Sequence, residues 1–198
     1  MLAPVVAALA LLTGCGSSTG GQPHAVEADH TCSDTSVPLT TIDAATEGEP
    51  QLQIPQPPGW DTSDKLNSPL IRFAMINTDL TTDGFAPNAV VTFETAATGA
   101  ADPAQVFDQQ RGLLETQLGA TDVSTETSSL CGYPAATISY TAPAMGEVPE
   151  RAAKVLCVLA EVDGTTYLST VTVSSVTPDE STYAEDSKNI LAGFRVNA

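Results

Sequence analysis

Apolar positions run without interruption from Val155 to Ala160, the pattern of a strand covered on both faces. Asp163-Gly164 then forms a hairpin signal leading into Thr165 to Val173, so these two segments are expected at the centre of a sheet. Upstream of them, Ala136, Ile138, Tyr140 and Ala142 alternate with Thr137, Ser139 and Thr141, which predicts a strand buried on one face. Asp122 to Ser129 precedes it without an assigned element. Leu70 to Ile76 and Ala89 to Phe93 are β-rich runs separated by the turn residues Asp83-Gly84 and Pro87-Asn88, and both read as strands. Gln51-Leu52-Gln53-Ile54 alternates, then stops at Pro55 and Pro57-Pro58-Gly59, predicting a short first strand at a sheet edge. The turn delivers Trp60, which is expected to cap the core rather than to serve as a ligand platform.

Two segments change from a period of two to a helical period. Asp102 can cap the first amides of one helix, Pro103 suits its first position, and Gly119 can close its end in a left-handed conformation. Val106, Phe107, Leu113, Leu114 and Leu118 then form an apolar face, with Asp108, Arg111 and Glu115 on the solvated one. Thr177-Pro178-Asp179-Glu180 opens the last helix as a capping box, placing Tyr183, Ala184, Ile190 and Leu191 inward, with Lys188 near the end and Gly193 beyond it. Phe194 to Val196 can close the chain as a strand or tail. An antiparallel sheet whose apolar face is covered by two helices is an α+β layered domain.

The first residues follow a different pattern. Leu2 to Leu12 is apolar, long enough for an export-signal core and too short to span a bilayer, and Leu12-Thr13-Gly14-Cys15 follows at once as a lipobox. Small residues before the cysteine suit cleavage in an extended conformation, and the Cys15 thiol can accept a diacylglycerol as a thioether. A plain secretory peptide with an incidental cysteine explains the order of these features less well. No Lys or Arg lies between Met1 and the apolar core, so the true translation start is expected upstream. Gly16 to about Glu49 is rich in Gly, Ser, Thr, Asp and Glu, too polar to offset the entropy of ordering. The expected partition is a signal peptide over 1–14, a lipidated acidic flexible tether over 15–49 and one domain over 50–198. Val37, Leu39 and Ile42 are the tether's apolar cluster and can lie against the domain as a short strand or docked segment.

The chain's 198 residues suit one such domain, and 42% hydrophobic with 5% aromatic residues is a globular profile poor in stacking platforms. Seven Lys and Arg against 24 Asp and Glu give a formal charge of -17, whose field excludes nucleic acid as the main partner and a basic patch as the means of membrane attachment. His24 and His30 both lie in the tether, so Ser-His-Asp and Cys-His nucleophilic arrangements cannot be built within the domain. Within the domain no Cys-x-x-Cys, His-Glu-x-x-His, Gly-x-Gly-x-x-Gly, Walker or Gly-x-Ser-x-Gly pattern occurs. A floppy pair of histidines must lose entropy before coordinating metal, and no pair of carboxylates stands out for glycosidase chemistry. No catalytic, cofactor or metal residue is expected.

Besides Cys15, the exported chain has Cys32, Cys131 and Cys157, which suggests one disulfide and one leftover thiol. If the strand from Ala135 to Ala142 pairs with both its neighbours, Cys157 lies opposite about residue 137 and two strands from the Cys131 row. At about 4.8 Å per strand and 3.4 Å per residue, the separation is on the order of 14 Å, beyond the roughly 7 Å limit between α-carbons. Cys131 to Cys157 is disfavoured unless the Pro143 to Glu150 loop shifts the register. Cys32 with Cys131 is the expected bond, stapling tether to domain, and Cys157 reads as a small buried hydrophobe.

Leu52 to Trp60 (LQIPQPPGW), Phe85-Ala86-Pro87-Asn88, Phe107 to Arg111 (FDQQR), Cys131-Gly132-Tyr133-Pro134 and Ile190 to Val196 together resemble the LpqN/LpqT-type lipoproteins of mycobacteria and related actinobacteria. Each piece is weakly specific. Together, in this order, they span about residues 50 to 196. The resemblance implies a PsbP or Mog1-like α/β/α sandwich, an extracytoplasmic location, and a non-enzymatic role in envelope biogenesis. It also implies partners such as mycolate-lipid exporters and mycolyltransferases, and it supplies no catalytic motif. The expected function is that of a lipid-anchored binding or scaffolding factor on the outer face of the cell membrane. Its candidate contact loops carry Thr78, Phe85, Asn88, Met145 and Glu147. The competing expectation is a carrier that holds a lipid or amphiphile in a cavity between sheet and helix, near Leu114 and Ile138.

Overall fold

The computed structural model describes residues 32–64, 70–96 and 102–197. Its strands are β1 (Leu39–Ile42), β2 (Gln51–Pro55), β3 (Asp61–Thr62), β4 (Ile71–Ile76), β5 (Asn88–Thr95), β6 (Thr121–Leu130), β7 (Tyr133–Ala142), β8 (Arg151–Val162), β9 (Thr165–Ser175) and β10 (Arg195–Asn197). The helices are α1 (Pro103–Leu113) and α2 (Ser181–Ala192). Seven strands form an antiparallel sheet in the order β3-β4-β5-β9-β8-β7-β6, and a small sheet has the order β1-β2-β10.

The alternation along β8 sets the layers. Val155, Cys157 and Leu159 pack with Phe107 of α1, and with Ala136, Ile138 and Tyr140 of β7. Leu156, Val158 and Ala160 point the other way, toward Tyr183 and Ile190 of α2 and Leu52, Ile54 and Val196 of the small sheet. One helix thus covers one face of the large sheet, while α2 and the small sheet cover the other, giving the expected α+β sandwich. Burying a Val or Leu side chain stabilises by about 1.5–3 kcal/mol, so a strand buried on both faces depends on both layers being present.

Local chemistry explains the helix ends. The Asp102 carboxylate accepts the Ala104 amide at 3.1 Å, with Pro103 following as the first helical residue. Beyond α1 the chain widens into a π-helical turn over Leu114–Leu118 and stops at Gly119, whose φ of 75° needs no Cβ. Leu113 is 36% exposed, so it does not join the inward face expected of it: at about 100° per residue it lies roughly 120° around the helix from the buried Phe107. At α2 the cap is Glu180 itself, whose carboxylate accepts the amides of Thr182 and Tyr183. The expected capping box opening at Thr177 is therefore replaced by a single-residue cap. Ala184, expected inward, is exposed, and Asp186 and Ser187 are buried in its stead.

Strand β2 is the centre of the small sheet, not an edge: Leu39 lies opposite Pro55 on one side and Val196 opposite Leu52 on the other. Residues from Cys32 to Glu49, expected to belong to the tether, are joined to the domain by the Cys32–Cys131 bond and by the pairing of β1 with β2. Leu39–Ile42 is the docked strand that the Val37, Leu39 and Ile42 cluster allowed, and Ile42 is buried. Cys32 is joined to Cys131, 99 residues away. Cys157 sits opposite Ala136, one strand from β7's own row and one residue from the register expected. It faces α1, whereas Cys131 belongs to the core on the other face, so the two sulfur atoms are divided by the sheet itself. Burial pushes the Cys157 thiol up to about 12. Cys15, His24 and His30 lie outside the described residues.

Trp60 is 2% exposed, and its indole N–H donates to Asp186 Oδ2 at 2.8 Å, bridging the β2–β3 connection to α2. Burial holds the Asp186 carboxyl above the usual aspartate range, although the Trp60 hydrogen bond pulls it back down.

A Cys32→Ala variant is expected to lose about 2–5 kcal/mol of stability in urea unfolding, since the bond closes a long loop in the unfolded chain. An unchanged midpoint would show that the N-terminal segment adds nothing to the fold. The raised Asp186 pKa means that ionising this group costs stability as pH rises through its folded-state value, from the ordinary aspartate range upward. Asp186→Asn keeps an acceptor for the indole and removes the charge, so relative to wild type its stability should increase from pH 4 to pH 7. A flat difference in unfolding free energy across that interval would contradict the assignment.

Candidate partner-binding face

The β4–β5, β7–β8 and β9–α2 connections emerge at one end of the large sheet, because Asn88 lies opposite Ser174, Ser174 opposite Ala153, and Arg151 opposite Ala142. Two tight turns shape this end. Thr82 and Phe85 exchange backbone hydrogen bonds at 3.0 and 2.9 Å around Asp83 and Gly84, both at positive φ. Met145 and Val148 do the same at 2.8 and 3.0 Å, with Gly146 at φ 60°. Asp-Gly suits the first turn, and glycine at the first central position suits the second.

The two turns are joined by a residue that sequence reasoning passed over. The Arg151 guanidinium lies over the Phe85 ring, 5.5 Å from its centroid, and Arg151 also donates to the Pro149 carbonyl at 3.4 Å. A cation over an aromatic face at this distance contributes about 0.5–1 kcal/mol where solvent reaches it. The signal available in the sequence was scarcity: Arg151 is one of only seven basic residues.

Met145 is 55% exposed and Val148 37%, two large apolar side chains presented at one turn. Glu147 is exposed between them, and Thr78 begins an exposed one-turn helix whose Asn77 cap holds the Asp79 amide. Asn88 differs from these: its Oδ1 accepts Ser174 Oγ at 3.1 Å, which ties it to the sheet. Phe85, Met145, Glu147 and Thr78 therefore share one end, with Asn88 anchoring its base.

A cleft of about 410 Å³ opens beside this end, lined among others by Ser139, Thr141, Lys154, Asp179, Tyr183 and Ser187. Burial raises the pKa of Tyr183, and also that of Tyr140, where the nearby Arg151 charge works in the opposite direction. A second groove, of about 280 Å³, lies between the sheet and the helical segment containing Leu114. Its walls include Thr92, Glu94, Gln110, Thr170 and Thr172, and Thr92 and Thr170, paired on neighbouring strands, hydrogen-bond to each other on its sheet side. Ile138, the other residue expected there, is fully buried in the core. Among the described residues no group of three or more His, Cys, Asp or Glu is placed to hold a metal ion. Among the same residues no helix is long and apolar enough to cross a membrane.

The family model described as probable lipoprotein LpqN matches residues 29–197. The chain belongs to this family. Its match begins ahead of Cys32 and so takes the disulfide and β1 into the LpqN-type domain. The crystal structure of Mycobacterium tuberculosis LpqN, a protein involved in cell envelope biogenesis, shares the fold with a TM-score of 0.64 at 17% identity, covering 83% of this chain and 93% of that one. The Ran-binding protein Mog1p of Saccharomyces cerevisiae aligns at a TM-score of 0.45 and 13% identity, over 81% of this chain and 96% of that one. No curated protein matches the sequence.

Proposed function

We propose that this LpqN-family lipoprotein is anchored by lipid at Cys15 to the outer face of the cell membrane, and acts without catalysis by binding other envelope proteins. The observation that carries the reading is the face where the exposed Met145 and Val148 side chains stand out from a turn locked by paired backbone hydrogen bonds, beside a half-buried Phe85 held under Arg151. Apolar side chains on a rigid rim serve as anchors at protein interfaces, because little conformational freedom is lost on binding. The role of the similar M. tuberculosis protein in envelope biogenesis supports an envelope setting for this chain. The lipobox at Leu12 to Cys15 supports the anchor. Lipid exporters and mycolyltransferases are the partner classes that fit this location. The groove beside Leu114 mixes Leu113, Leu118 and Val155 with Thr92, Glu94, Gln117, Thr170 and Thr172, a lining more polar than the predominantly apolar one that an acyl chain favours.

Cys15→Ala should shift the protein from the detergent phase to the medium, or leave it unprocessed; unchanged partitioning would remove the anchor from the proposal. Met145→Asp combined with Val148→Asp should reduce cross-linking to envelope proteins in the native host by about tenfold or more, with a melting temperature within about 2 °C of wild type. If cross-links persist while the purified domain retains stoichiometric lipid, the carrier reading takes its place.

A further inference from the structure

Strand β6 ends the large sheet, with β7 on one side and, among the described residues, no strand on the other. It is ten residues long, and every residue from Ser124 to Ser129 is exposed, so neither helix layer extends over it. Proteins usually blunt such an edge with lysine, proline, shortness or a covering element. The opposite edge follows that rule, since β3 has only two residues. In β6 there is neither Lys nor Pro, and its one irregularity lies between Thr121 and Ser124, leaving Ser124 to Leu130 in regular register with β7.

The turn at Cys131-Gly132 identifies which backbone groups are open. Both residues have positive φ, and Leu130 lies opposite Tyr133. A two-residue hairpin of this type makes the flanking residues a hydrogen-bonded pair, after which bonded and non-bonded pairs alternate. Leu130, Ser128, Glu126 and Ser124 therefore turn their N–H and C=O groups to β7, while Ser129, Thr127 and Thr125 turn theirs outward. Pro134 agrees with this phase: it faces Ser129 in a non-bonded pair, where its missing N–H costs no bond to β6.

We propose that the outer edge of β6 is a docking site for an extended segment of another protein, which adds an eighth strand through the backbone of Thr125, Thr127 and Ser129. Charge sets the kind of segment. Glu126 and Asp122 are the strand's charged residues, and the chain carries a net -17, so the incoming strand bears lysine or arginine at alternate positions. A second copy of this chain would bring a field of the same sign against it. The site is independent of the loop face at Met145, so each can fail alone.

The test uses the protein with its disulfide intact and, as probes, three synthetic seven-residue peptides. One alternates lysine with valine and threonine, one carries glutamate in place of each lysine, and one is the lysine peptide with alternate backbone amides methylated. The lysine peptide should slow hydrogen exchange at Thr125, Thr127 and Ser129 by about tenfold or more, an effect that weakens with added salt. The glutamate and methylated peptides should not do so. Thr127→Pro removes an outward N–H without breaking the β6–β7 ladder, so it should retain the fold and lose the protection. If Thr127→Pro unfolds, the methylated peptide makes the same distinction on the wild-type chain. Absence of protection, equal protection by the glutamate or methylated peptide, or β6-dependent dimers in light scattering would overturn the proposal.

Discussion

The structure depends on a sheet whose central strands are apolar on both faces. Val155, Cys157 and Leu159 have to be covered from one side, and Leu156, Val158 and Ala160 from the other.

 Neither cover adjoins β8 in sequence. The first is α1, inserted between β5 and β6. The second is assembled from the two ends of the domain, with β1 and β2 supplied early, α2 and β10 late, and Trp60 hydrogen-bonded across 126 residues to Asp186. A polar bond buried in that layer fixes which way the two ends meet, a choice that nonspecific apolar contact leaves open.

Local pattern made much of this legible. The double-faced strand at Val155 to Ala160, the Asp163-Gly164 hairpin, the Asp102 and Gly119 helix limits and the burial of Trp60 all follow from short-range chemistry, and all appear in the structure. Pairing partners were less legible, because they are set by contacts distant in sequence. The alternation of Gln51 to Ile54 identifies a strand equally well at an edge or at the centre of a three-stranded sheet. Only the arrival of Val196 decides between them. Strand β6 escaped assignment for a related reason: with nothing covering it, its Thr, Ser and Glu residues carry no apolar alternation.

The loop face shows the same division. Turn chemistry at Asp83-Gly84 and Gly146 marks where the chain reverses, and reversals at the end of a rigid sheet are natural contact points. That Arg151 reaches Phe85 is a fact of strand order, since β9 and the start of β8 bring the two loops within reach of each other. Asn88 illustrates the opposite case, a turn residue by type that the register commits to Ser174.

The bond between Cys32 and Cys131 also determines where force enters the domain. Any pull on the chain ahead of Cys32 passes through the sulfur bridge to the β6–β7 turn, bypassing the intervening polypeptide. Strands β1 and β2, which would otherwise be peeled away first, carry none of that load while the bridge is intact. The domain is thus hung by its sheet and not by its N-terminal strand, and reduction would convert a clamp into a zipper.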